Sequence, residues 1–193
     1  MIEFDKTLAD EGYAIFKKTN EYCIYKNIDN YQEDFIKVQK ENSINYIYEI
    51  HRNSSKLIKK EQSDDKAYVY AIILCKRLYD NLDRKYVRKI KEHIEQGDEN
   101  EVIKIIKDKF DVSIYSIGIE ENSKVSLIKK GNNVDIKFAG KYILSNVSMI
   151  RGYITFYNYC EKIKSIKNFV DELNGKFNCD KLELLRLYLT GEI

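Results

Sequence analysis

Three features of the sequence point to an α+β fold in which antiparallel strand meanders pack with helices. Short alternating runs punctuated by Asn, Ser and Gly fill residues 13–59 and recur over 112–147. Each block is followed by longer runs with apolar residues spaced three and four apart, and no proline interrupts any of them. The order is therefore strands, helices, strands, helices. With 193 residues, the chain has material for one ordinary domain or two small ones.

Strand character begins at Tyr13–Phe16 and Glu21–Lys26, on either side of the polar turn Lys18-Thr19-Asn20. Phe35–Lys40 and Ile44–Ile50 follow, split by Glu41-Asn42-Ser43, and Ser55–Lys59 supplies a short fifth run. Along Ile44, Tyr46, Tyr48 and Ile50 every second residue is apolar or aromatic, which predicts that this face points into the core. Ser63, followed by Asp64 and Asp65, is a helix start: the hydroxyl caps free amides and the acids suit the positive end of the dipole. That helix carries Ala67, Tyr68, Ala71, Ile72, Cys75 and Leu78 at helical spacing, with Val69, Ile73 and Leu74 widening the apolar face, so it is expected to be the most buried element of the first half.

A second helix, Arg84–Gln96, has Val87, Ile90 and Ile94 on one side and stops at Gly97. Asp98 with Glu101 reads as a capping box opening a third, with Val102, Ile103, Ile106 and Phe110 on its apolar face. Strand signals return in Val112–Ile119, Lys124–Lys129, Val134–Phe138 and Lys141–Val147, with reversals at Glu121-Asn122-Ser123, Gly131-Asn132-Asn133 and Gly140. A long helix over Tyr153–Leu173 stops at Asn174-Gly175, with Ile166 filling the gap that Lys167 leaves in its apolar face; a short one, Lys181–Leu189, is capped by Asp180.

These elements divide the chain into a strand-rich module with a buried helix (1–83), a helical connector (84–110) and a strand-rich module with a long helix (111–193). A faint likeness between the halves reads as a weak tandem repeat of ββββα modules joined by a helical hairpin. The alternative is a single domain whose one sheet draws strands from both halves.

Composition narrows the function. The 33 basic and 31 acidic side chains leave a net charge of +2, unlike the strong basic excess of a protein held mainly on phosphates. The acidic start MIEFDKTLADEGY is unlike a secretory signal, and no apolar run approaches the length of a membrane span, so a cytoplasmic protein with no membrane association is expected. Cys23, Cys75, Cys160 and Cys179 are widely scattered and read as reduced, mostly buried thiols.

Motifs for chemistry are sparse. The two histidines, His51 and His93, lie far apart with no CxxC, HxxxH or HExxH, and the dispersed glycines form no phosphate-binding loop, so no metal or cofactor is assigned. Asp135-Ile136-Lys137, preceded by Glu120 and Glu121, resembles metal-dependent nucleases of the PD-(D/E)xK type, in which two carboxylates hold Mg²⁺ and a lysine steadies the attacking water. The resemblance covers only those residues. Asp135 and Lys137 also alternate with Val134, Ile136 and Phe138, as on the solvent face of a strand, where Asp135→Ala should leave the fold intact. That reading is preferred, and no catalytic residue is assigned.

Two surfaces remain as partner-binding candidates: the strand tyrosines Tyr46 and Tyr48, and the basic run Arg84, Lys85, Arg88 and Lys89. Tyrosine supplies contact area and a hydrogen bond at low entropic cost. The expected function is that of a noncatalytic protein-binding inhibitor of the toxin-immunity or phage counter-defence kind, occluding a protein partner such as a toxin or a defence or nuclease component. A nucleic-acid-associated protein using the basic helix and a divergent metal-dependent nuclease are the alternatives.

Overall fold

The structure, a computed structural model, describes residues 2–26 and 33–192. Along the chain lie α1 (Ile2–Asp10), β1 (Tyr13–Lys18), β2 (Glu21–Lys26), β3 (Asp34–Glu41), β4 (Ile44–His51), β5 (Ser54–Glu61) and α2 (Asp64–Tyr79). They are followed by α3 (Val87–Glu95), α4 (Glu99–Lys109), β6 (Tyr115–Ile117), β7 (Val125–Lys130), β8 (Asn133–Phe138), β9 (Lys141–Ser148), α5 (Met149–Phe177) and α6 (Lys181–Thr190). This is an α+β protein with, among the described residues, two separate sheets, one of five strands and one of four. The chain divides into two compact units, 1–80 with 170–193, and 81–169.

In the first unit β1 to β5 form an antiparallel meander in sequence order. One face packs on α2, through Ile24, Ile36, Val38 and Ile47, all essentially fully buried. Ser63 caps α2 by accepting from the Lys66 amide at 3.3 Å, with Asp64 and Asp65 in the first turn and Lys76 and Arg77 in the last. Every residue from Ala67 to Cys75 is buried, because the helix has the sheet on one side and α6 on the other. Asp180 caps α6 by accepting from the Leu182 amide at 2.8 Å, and Gly191 ends it in the left-handed conformation.

The face of β4 is the reverse of the sequence expectation. Asn45 and Ile47 point inward, and Tyr46 and Tyr48 occupy the other side of the sheet. Asn45 is tolerated there because its amide donates to Asp64 at 2.8 Å, which satisfies a buried polar group. A strand with apolar residues on both faces does not disclose which one is covered.

In the second unit the sheet order is β6-β7-β8-β9. β7, β8 and β9 are antiparallel, but β6 pairs parallel to β7, with Tyr115 opposite Val125 and Ile117 opposite Leu127. Glu121-Asn122-Ser123 is therefore not a hairpin turn. Residues 118–124 carry the chain back to run alongside itself: Gly118 has φ +89° and donates its amide to Leu127 O at 2.8 Å. α3 starts at Val87, leaving Arg84 and Lys85 in the preceding turn. Asp98 caps α4 by accepting from the Glu101 amide.

α5 buries Tyr153, Phe156, Tyr157, Cys160, Ile163 and Ile166. It begins four residues earlier than the sequence predicts and continues through Asn174-Gly175 to Phe177. One helical glycine costs only about 1 kcal/mol. The stop is Asn178, which takes φ +49° and donates its amide to Asn174 O.

Candidate functional site

The helices of the first unit gather on one face of its sheet. α2 packs there directly, α1 ties to it through Asp5, which is bonded to Lys17 and Tyr68, and Glu183 of α6 accepts from Lys59 and Tyr70. The opposite face is built by register. Phe16 pairs with Cys23, Cys23 with Lys37, Lys37 with Tyr48 and Tyr48 with Leu57, giving one row across all five strands. The next row runs Lys18, Glu21, Gln39, Tyr46, Lys60. On the other side Tyr25 lies opposite Ala14, and Ile50 lies between Phe35 and Ser55.

Phe16 at one end of the central row is 53% exposed and Leu57 at the other end is 42% exposed. Cys23, Tyr25, Phe35, Tyr46, Tyr48 and Ile50 are half-buried. Large apolar groups on a sheet face of this extent mark a contact surface more often than a solvated one. Three lysines stand over its rings: Lys18 at 5.6 Å from the Phe16 centroid, Lys37 at 5.3 Å from Tyr48 and Lys60 at 5.2 Å from Tyr46. The acids on this face hold them loosely. Glu21 is 3.8 Å from Lys18 and 3.7 Å from Lys37, while Glu41 accepts from Gln39.

Tyr46 and Tyr48 are thus brought together with side chains that sequence reasoning passed over: Phe16, Lys18, Lys37, Leu57 and Lys60. The missed signal is in β1, where Tyr13 is buried on the helix side and Phe16, out of step with it, is the exposed ring.

Arg84, Lys85, Arg88 and Lys89 lie in the second unit and are exposed. Arg88 is held by Glu92 at 2.7 Å. Lys85 and Lys89 flank Tyr86, each 5.8 Å from its centroid. Behind that ring, Lys109 bonds Asp83, Tyr157 and Glu161, and these pairings raise its pKa in spite of burial, which acts the other way. That ammonium is a strut.

Of the nuclease-like residues, Lys137 is brought to Glu120, while Asp135 is taken up by other partners. Asp135 is not on a solvent face: it is 0% exposed, accepts from the Asn146 amide at 2.7 Å and the Ser145 hydroxyl at 3.1 Å, and has Lys130 Nζ 2.6 Å away. Asn146 turns to φ +54° to reach it, at the irregularity in β8–β9 register. The Lys130 bond first, then the Asn146 amide, holds the Asp135 carboxyl below its usual range. Lys137 pairs with Glu120 at 2.6 Å and Glu121 with Lys124 at 2.7 Å. Among the described residues no three His, Cys, Asp or Glu side chains form a metal-holding group.

No family model, curated protein or solved structure matches the chain. Cys75, Cys160 and Cys179 are buried and Cys23 half-buried, all four as free thiols. Burial pushes the Cys75 thiol up to about 12, away from the reactive thiolate. No described helix is long and apolar enough to cross a membrane. A cavity of about 210 Å³ beside the β1–β2 turn is lined by Asp64, whose carboxyl Lys40 and then Asn45 hold below the ordinary range, and by Tyr22, whose buried hydroxyl has no hydrogen-bond partner among the described residues.

Proposed function

We propose that this chain is a noncatalytic protein-binding protein that acts by occluding a surface of a protein partner, in the manner of an inhibitor. The observation that carries the reading is the row Phe16–Cys23–Lys37–Tyr48–Leu57, which presents exposed apolar ends and the half-buried ring of Tyr48 on the side of the sheet opposite α2. A rigid antiparallel sheet presents such groups already ordered, so little entropy is lost when they are covered. The near-zero net charge, +2, fits recognition by shape and apolar contact more than by a bulk field. The toxin-immunity or counter-defence role belongs to this proposal as the setting in which occlusion alone is a function.

The test is copurification from the native host with the tagged wild-type chain and with Phe16→Asp and Leu57→Asp. Both substitutions alter exposed side chains, so thermal melts should change little. The expected result is a stoichiometric protein partner with wild type and at least about tenfold less with either variant, equivalent to about 1.4 kcal/mol. A partner retained in full by both variants refutes the assignment of this face.

A second reading rests on the exposed Lys85 and Lys89 beside Tyr86, with Arg84 exposed nearby in sequence, a pairing of cations with an aromatic ring that also suits single-stranded nucleic acid. Nucleic acid that copurifies with a steep salt dependence and is lost in Lys85→Glu/Lys89→Glu selects it.

A further inference from the structure

We infer that the partner of the open sheet face is an acidic protein segment, one that presents Asp or Glu side chains among apolar residues; the inference rests on the binding role proposed above. Each of three rings on the face, Phe16, Tyr46 and Tyr48, has a lysine ammonium within 5.6 Å of its centroid. A partner that covers the rings must also bury those ammonium groups or push them aside. Burying a cation without a counter-charge is expensive. The face's own acids do not solve this, because the single carboxylate of Glu21 is shared between Lys18 at 3.8 Å and Lys37 at 3.7 Å, Lys37 otherwise donates to the neutral Gln39 at 3.1 Å, and Lys60 has no acidic partner among the described residues.

Carboxylates supplied by the partner turn each cation into a desolvated ion pair while apolar neighbours meet Phe16, Tyr48 and Leu57. The lysines then act as a selectivity device, because a neutral partner forfeits ion pairs and a basic one is repelled. A second copy of this chain is disfavoured for the same reason, since it presents lysines to lysines.

The probes are a short alternating Glu–Val peptide, its Lys–Val counterpart and single-stranded oligothymidylate, each titrated into the isotope-labelled full chain and followed by amide NMR shifts. The Glu–Val peptide is expected to bind at least about tenfold more tightly than Lys–Val, to shift amides of Phe16, Lys37, Tyr48 and Leu57, and to weaken with salt. In Lys18→Glu/Lys37→Glu/Lys60→Glu the preference should invert. In the glutamine triple variant, which keeps the fold if the reversal does not, the preference should vanish. Equal or absent binding of the two peptides, or a preference that survives the triple changes, overturns the inference. Oligothymidylate binding on this face without Glu–Val binding overturns it in favour of nucleic acid. If the triple variants keep the native partner while Phe16→Asp loses it, the acidic specificity fails and the binding role stands; if neither loses it, both fail.

Discussion

Tyrosine, at 16 residues, shows how one residue type serves two ends. Tyr68 donates to Asp5, Tyr153 to Glu99, Tyr188 to Asp80 and Tyr70 to Glu183, each placing a buried ring in the core and its hydroxyl on a carboxylate. Burial first, then the neighbouring acid, raises the pKa of Tyr68, Tyr70 and Tyr153. These rings are struts; among the described residues Tyr46 and Tyr48 make no such bond and lie on the sheet face away from α2, where the proposed binding role places them. Asp135 is a structural residue of the same kind as these struts. Its carboxylate anchors the irregular edge of β9, so Asp135→Ala should cost about 1–3 kcal/mol by stranding the Asn146 amide and Ser145 hydroxyl. Because its folded pKa lies below the unfolded value of about 3.9, the stabilisation is fully present above that value and disappears as pH falls through the lower, folded pKa. Chemical denaturation across this acid range checks both points. Wild type should lose stability as the pH drops and Asp135→Asn should lose less; identical slopes would remove Asp135 from the account.

At the scale of elements, what is local was legible and what is long-range was not. Ser63, Asp98 and Asp180 announced their helices because a cap is a bond between neighbours in sequence. The inward face of β4 was misread because Asn45 is buried only through Asp64, and the exposed apolar side looks the same as a core side along the strand. The parallel pairing of β6 with β7 left no mark in the turn residues, since Gly118 and Asn122 suit a hairpin equally well. α1 was missed altogether: its Leu8 is buried and its Asp5 is engaged by Lys17 and Tyr68, distant partners that alternation along the chain does not reveal. Of the open face, the sequence displayed Tyr46 and Tyr48 but not the register that lines them up with Phe16, Lys37 and Leu57. In the second unit, α5 meets β8 at Gly152, where a Cβ would lie 1.9 Å from Val134 Cγ2. Gly152→Ala should therefore destabilise by about 1–3 kcal/mol through overpacking, and Val134→Ala in the same chain should recover part of the loss. A thermal melt of Gly152→Ala that overlays wild type would show that the contact relaxes freely.

For the whole molecule, two units with separate sheets divide the candidate surfaces, the apolar-and-lysine face in one and the Arg84–Lys89 cluster in the other. Occlusion requires that one of them be covered by a protein, and the exposed ends of the five-strand row make the first unit's sheet the surface to watch. A specific interface buries on the order of 1,600 Å² in total and concentrates its energy in a few anchors, which a row of aromatic and aliphatic groups across five strands can supply. The most direct measurement places a photo-crosslinking amino acid singly at Phe16, at Leu57 and, as a control, at the exposed Lys104 of α4, followed by irradiation in the native host. The expected result is one protein adduct shared by the Phe16 and Leu57 positions and absent from Lys104. Adducts from Lys104 alone, or none from either end of the row, would contradict it.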